Sequence, residues 1–525
     1  MRTQSRMLCG MILGIVILIS PLAVSVSVGD EHQPPTHGTG VSPRRSSDGP
    51  VSNEWQEQCE LYASDAQTGD GFGYSLSVNG TRLLVGSPDD DDKGENAGAA
   101  YIFQNEGNWI QHAKLMASDG AAGDEFGSAV WLQGEYAFVA APGDDDLGSE
   151  SGTLYVFHEI NGTWVEETKL QASDGAVSDF FGEALCADGD TVLVGAPFND
   201  DVGNNTGAAY MFRHQGDQWV QEAVLVPSDH AALQLFGSAV SLHGDDAIIG
   251  AYHAASHGYF TGCAYVFTRT GTTWVEEQKL IASDASGYYE FGRSVAIGDG
   301  VALVGSPYHP RGGTQWVGMV YAFVRTGGQW VETQQLFASD ATNDKLFGAS
   351  MCMRGGQALV GAQGDDVIGM PGSAYLLKWD GVTWSQEDIL SALGTSSSDF
   401  FGYAVSFDGS SAVIGAYKRG HVGCAYVFAP THGISFAIFG GLGVHMVIIN
   451  GGLNASSVGW EIHVNGGQNG MINRTIQGTT TIPAEGYRIT RIWVFGVGRI
   501  QITGSVAGFK KIASGLQLFM VTIID

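Results

Sequence analysis

One phrase recurs seven times between Trp55 and Phe428, and that recurrence constrains the fold more than any single residue. It runs Trp, then Ser-Asp, then Phe-Gly, then a Val-Gly-Ala-like run, then a Tyr-x-Phe stretch. Phe-Gly begins at Phe72, Phe126, Phe181, Phe236, Phe291, Phe347 and Phe401, so the period stays between 54 and 56 residues. The tryptophans keep step at Trp55, Trp109, Trp164, Trp219, Trp274, Trp330 and Trp384. A long period dense in strand formers predicts a radial array of small sheets. The expected fold is all-β: a seven-bladed β-propeller followed by a small antiparallel β-sandwich.

The second copy shows how a repeat becomes a blade. Phe126 to Leu132 alternates, and Gln133-Gly134-Glu135 reads as a tight turn. Tyr136 to Ala141 is nearly all apolar, as a strand buried on both faces should be. Thr153 to Phe157 forms a third strand, and Asn161-Gly162 turns the chain into a fourth, Thr163 to Leu170. The chain enters the repeats at strand four and leaves them at strand three. Trp55 to Leu61 is therefore expected to complete the seventh blade and close the ring, which removes its open edges. By repeat position Cys59 and Cys424 then lie across one strand pair, directly opposite or one place off. A Cys59–Cys424 disulfide and two unpaired thiols are both open.

Phe-Gly followed by Val-Gly-Ala-Pro, as in Phe181-Gly182 and Val194-Gly195-Ala196-Pro197, resembles the FG-GAP repeat of integrin α-subunit propellers and their secreted microbial relatives. The resemblance covers about 55 to 428 and implies a propeller, with adhesion or protein binding as the associated role. One feature departs from it. Integrin propellers carry a calcium loop between strands one and two, and here that connection is a short turn in every copy, from Asn79-Gly80 to Asp408-Gly409.

Composition sets the surroundings. The 525 residues carry a formal charge of −30 and 76 glycines. Residues 55–432 hold 48 acidic and 15 basic residues, whereas 433–525 hold 3 and 6. An acidic field of that size excludes a nucleic-acid partner, because phosphates are repelled. Residues 1–28 read as a signal peptide: Arg2 and Arg6 precede an apolar stretch, and small residues follow. The competing reading is an uncleaved anchor helix, for which the apolar stretch is short. Residues 29–54 form a Pro/Ser/Gly/His-rich linker, and 433–525 alternate in the manner of an immunoglobulin-like β-sandwich. No membrane span is expected after signal removal, and the protein is expected to be secreted or held at the extracellular surface. Sequons at Asn79, Asn161, Asn204, Asn454 and Asn473 suit an exported glycoprotein.

Two sets of loop residues stand out as site candidates. Between strands two and three lie Asp89, Asp90, Asp91 and Asp92, then Asp144, Asp145 and Asp146, then Asp200 and Asp201, with a thinner pair at Asp365 and Asp366. Carboxylates at that density offer oxygen ligands for a divalent cation such as calcium, the one cofactor considered. Turn capping by the same side chains is the alternative, favoured by the lack of D-x-D-x-D-G spacing. In blades 4, 5 and 7 the same loops instead carry His253, His257, Tyr259, Phe260, His309, Arg311, Trp316 and Arg419. Aromatic residues with arginine are common anchors of protein and sugar recognition. A zinc site from His253, His257 and His309 is a weaker alternative.

Motifs of serine-hydrolase, zinc-protease and phosphate-loop chemistry are missing from the sequence, so catalysis is not expected. The favoured function is an extracellular or cell-surface binding or adhesion protein whose propeller face takes a protein or glycan. An extracellular hydrolase using rim carboxylates or a metal, and a structural envelope component, are the two rivals.

Overall fold

The computed structural model describes residues 55–256, 258–364 and 369–430 in full, and beyond them the backbone of eight strands between Ile434 and Ile524. The expected signal peptide and linker lie outside the described residues, as do His257, Asp365, Asp366 and Asn454.

Seven four-stranded antiparallel sheets follow one another. Blade 2 consists of Val130–Gln133, Tyr136–Ala141, Thr153–Ile160 and Thr163–Leu170, in that spatial order. Second and third strands are buried almost throughout, while fourth strands alternate buried and exposed positions. The seventh blade pairs Val405–Phe407, Ala412–Ala416 and Cys424–Pro430 with Trp55–Leu61. The ring is thus closed by its own first strand, as the repeat phase required.

The same pairing corrects the expected disulfide. Cys59 lies opposite Val427, and Leu61 lies opposite Ala425, so Cys424 sits three places along from the partner of Cys59. Three residues of strand span about 10 Å, and an odd offset turns the two side chains to opposite faces of the sheet. Neither distance nor direction suits an S–S bond. Both thiols are free, and burial with nearby Glu57 and Glu60 pushes Cys59 up to about 11.

Each part of the phrase has a packing role. The Phe of Phe-Gly is fully buried and meets the Tyr-x-Phe rings edge-on: Phe126 lies 5.3 Å from Tyr155 and 6.0 Å from Phe157. The Gly is required by a close backbone approach. A Cβ on Gly127 would stand 2.4 Å from the Ala99 carbonyl oxygen, and its φ of 102° already disfavours a side chain. The Ser of Ser-Asp latches neighbouring blades. Ser118 donates from its N–H and its hydroxyl to the two carboxylate oxygens of Glu166, both at 2.8 Å, and Ser228 and Ser283 repeat this with Glu276 and Glu332. The Asp accepts from the buried tyrosine of strand three, as Asp119 does from Tyr155 at 2.9 Å.

Beyond residue 433 the strands form two further sheets. In chain order their arrangement is first-second-fifth-eighth in one sheet and fourth-third-sixth-seventh in the other. The immunoglobulin-like expectation goes no further than this strand order. Asn473 lies on the strand Ile472–Ile482. Among the described residues no helix is long and apolar enough to cross a membrane.

Candidate functional site at the mouth of the axial channel

Antiparallel order places the loops between strands two and three on the same face as the loops that enter each blade, opposite the hairpin turns. On that face the acidic loops of blades 1 to 3 are committed to holding themselves together. Asp90, Asp144 and Asn199 accept from the N–H two residues on, at 3.1 to 3.2 Å. Asp91, Asp145 and Asp200 accept from the N–H five residues on. Turn capping therefore accounts for these six side chains.

A built-in cation takes much of the remaining charge. Lys114, on the fourth strand of blade 1, places its ammonium 2.9 Å from Asp65, 2.9 Å from Asp90 and 2.6 Å from Asp92. Burial works against that charge, but the hydrogen bonds to Asp92, Asp90 and Asp65 outweigh it and raise the lysine above its ordinary value. Lys169 bridges Asp119 and Asp146 in blade 2, and Lys279 pairs with Asp229 in blade 4 at 2.6 Å. Blade 3 has Val224 at the corresponding place. Its Asp201 is raised by burial and by its contact with Asp174. Asp89 has no ion pair among the described residues; burial and the charge of Asp91 raise it, and Lys418 opposes the rise. Among the described residues no group of three or more acidic, His or Cys side chains has the arrangement of a metal centre.

Two of the expected ligand residues are engaged within the fold. His309 is only 7% exposed, and its Nε2 stands 3.1 Å from Asp284, filling in blade 5 the role of the lysines. Arg419 donates to Asp399 at 2.8 Å and to the Gly394 carbonyl. It enters because the seventh copy has Leu393-Gly394 where the others have Ser-Asp. Lacking that Asp, the buried Tyr426 hydroxyl has no hydrogen-bond partner among the described residues. Both basic residues serve the fold, and with His309 engaged and His257 undescribed, the histidine-zinc alternative has no assembled ligand set.

The other candidates do gather. His253 lies 4.3 Å from Phe260, which lies 5.7 Å from Tyr288. Tyr259 is 76% exposed beside them, and Trp316, 45% exposed, meets Tyr308 edge-on at 5.8 Å. Arg311 packs on the ring of Phe337, its Cζ 3.0 Å from the centroid. From blades 7 and 1, Tyr403, Tyr417 and Tyr74 form a triad with centroids 4.5 to 5.4 Å apart.

Of these rings, Tyr74, Tyr308 and Tyr403 line a cavity of about 310 Å³ in the axial channel. Its wall is built from the position directly after each Phe-Gly, where the innermost strand begins: Tyr74, Ser128, Glu183, Ser238, Arg293, Ala349 and Tyr403. Tyr308 and Gln363 add to it from the loops after strand two. Glu183 and Arg293 are enclosed by the ring of blades yet open to the channel. Burial raises Glu183, with Arg293 opposing the rise. Burial also works against the Arg293 charge, and the Tyr252 hydroxyl, Glu290, Tyr403 and Tyr308 more than offset it. The guanidinium stacks on Tyr252, 4.7 Å from Cζ to centroid. Sequence reasoning missed these residues, although one signal was present. Within an otherwise constant frame, the place after Phe-Gly changes chemistry from copy to copy.

No curated protein matches the chain. Seven segments, 55–103, 109–157, 164–212, 219–267, 274–323, 330–377 and 384–428, match the family described as FG-GAP repeat, one that is typical of extracellular proteins and often used for binding. With more than half of its length matched in seven consecutive copies, the chain belongs to the FG-GAP repeat family.

Proposed function

We propose that this is an extracellular binding protein that takes a protein or glycan ligand at the mouth of its axial channel. One observation carries the reading: Tyr74, Tyr308 and Tyr403 line a cavity together with Arg293 and Glu183, and Tyr252 and Tyr417, from two of the divergent loops, pack on that lining. Aromatic faces beside a guanidinium supply apolar area and directional hydrogen bonds with little side-chain entropy to lose, the usual composition of a recognition hot spot. The opposite face presents short hairpin turns, beside which Tyr136, His158, His214 and Trp219 stack on one another.

An array of glycans and extracellular proteins probed with the full chain tests this. Binding to any hit should fall by about tenfold or more with Tyr403→Ala or Tyr308→Ala, the scale of a lost anchor. It should persist with Val382→Asp, an exposed turn residue of blade 6 on the other face. Hits indifferent to both tyrosines would refute the mouth as the site.

A further inference from the structure

The channel wall is divided by charge. Glu183 lines the cavity on the side of blade 3, and Glu125 is near enough to feel the charges of Glu183 and Asp89. Burial raises Glu125, and the charges of Asp89 and Glu183 raise it further, so the three carboxylates share one neighbourhood. Among the described residues none of them has an ion-pair partner. On the side of blade 5 stands Arg293, stacked on Tyr252 and likewise without an ion-paired carboxylate among the described residues. Phenols of Tyr74, Tyr308 and Tyr403 and hydroxyls of Ser128 and Ser238 line the space between.

A guanidinium that lines a cavity with no carboxylate in ion-pair contact among the described residues, Glu290 acting on it only from further off, is a receptor for a carboxylate. Uncompensated carboxylates beside aromatic faces are a receptor for an ammonium. Neither charge alone suits the whole channel. A simple anion would meet Glu183 and the −30 field of the chain, and a simple cation would meet Arg293. We infer that the channel binds a small dipolar ligand carrying both a carboxylate and an ammonium, with the carboxylate on Arg293 and the ammonium toward Glu183. The cavity of about 310 Å³ fits an amino acid or the end of a short peptide. This inference rests on the reading of the mouth as a binding site and names its ligand chemistry.

Calorimetric titration of the full chain with glycine, β-alanine, 4-aminobutyrate and 6-aminohexanoate, beside butyrate and butylamine, tests it. At least one amino acid of the series should bind about tenfold or more tightly than either single-charge compound. Arg293→Gln and Glu183→Gln should each remove that advantage, and thermal melts check that the variants are folded. If butyrate or butylamine binds as well as every amino acid, or no amino acid binds, the inference fails. The two readings separate cleanly: an array hit lost with Tyr403→Ala while all amino acids fail to bind leaves the mouth as the site and overturns its dipolar chemistry.

Discussion

The ammonium of Lys114 stands 2.9 Å from Oδ2 of Asp90, the place where a loop rich in aspartate invites a metal ion. Blade after blade repeats the device with a different base: Lys169, Lys279, His309 and Arg419. The protein supplies its own cation where its loops are most acidic, and blade 3, with Val224, does without.

Val224→Lys should therefore stabilise the protein. The new ammonium would reach the Asp174 and Asp201 pair, where burial and then the contact between the two carboxyls raise Asp201. Because the pair is largely solvent-exposed, screening limits the gain to about 0.5–1 kcal/mol. Thermal melts at low and high salt would read it as a small rise in midpoint that shrinks with salt. A lowered midpoint would show that the pocket cannot admit the side chain.

Removing the carboxylate from the Ser118–Glu166 latch should cost more than removing the hydroxyl. Glu166→Ala strips both hydrogen bonds between the outer strand of blade 2 and the loop that follows the outer strand of blade 1, at about 1–2 kcal/mol; Ser118→Ala leaves the N–H contact and should cost about half as much. Urea titrations of both variants provide the check, and equal losses would mean that the hydroxyl carries the latch.

Gly127→Ala and Gly134→Ala separate space from conformation. Both glycines have positive φ, but only at Gly127 would a Cβ meet backbone, whereas Gly134 faces open space. Gly134→Ala should cost about 1 kcal/mol and Gly127→Ala upward of about 3 kcal/mol, measured by denaturant unfolding.

Acidity acts on two opposed sets of carboxylates. Burial raises Asp70, Asp124, Glu125 and Glu183, so the folded state binds their protons more tightly than the unfolded chain does. Their contribution is fully present below the ordinary carboxylate pKa and is lost as pH rises through the raised folded values. Asp65 and Asp119 are lowered against burial by hydrogen bonds from Lys114 and Tyr101, and from Lys169 and Tyr155. Their contribution is present above the ordinary value and is lost as pH falls through the lowered one. Stability should therefore rise as pH is lowered from about 7 toward about 5 and drop steeply below about 4. Melting temperature against pH reads this directly, and a midpoint falling monotonically from neutral pH would contradict the assignment.

What the sequence made legible was whatever repeats. Phe-Gly, the buried Tyr-x-Phe and the entry at strand four fixed blade count and ring closure, because each serves packing that must recur in every blade. The Cys59 expectation failed on register, which repeat alignment left uncertain by a residue or two and which decides both distance and face. His309 and Arg419 looked like ligand-seeking residues, yet each replaces part of a buried acid-base pair that exists only in three dimensions. Tyr259, Phe260 and Trp316 were legible as departures from the repeat, but the gathering of Tyr74, Tyr308, Tyr403 and Arg293 around one channel depends on the radial arrangement.

The most direct test of the channel-mouth account is hydrogen–deuterium exchange on the full chain with and without the strongest array hit. The account predicts slowed exchange in 252–260, 286–293, 307–316 and 400–403, with no change at the hairpin turns near Gly134, Gly189 and Gly300. Protection confined to those turns or to the outer strands, with the mouth segments unchanged, would contradict it.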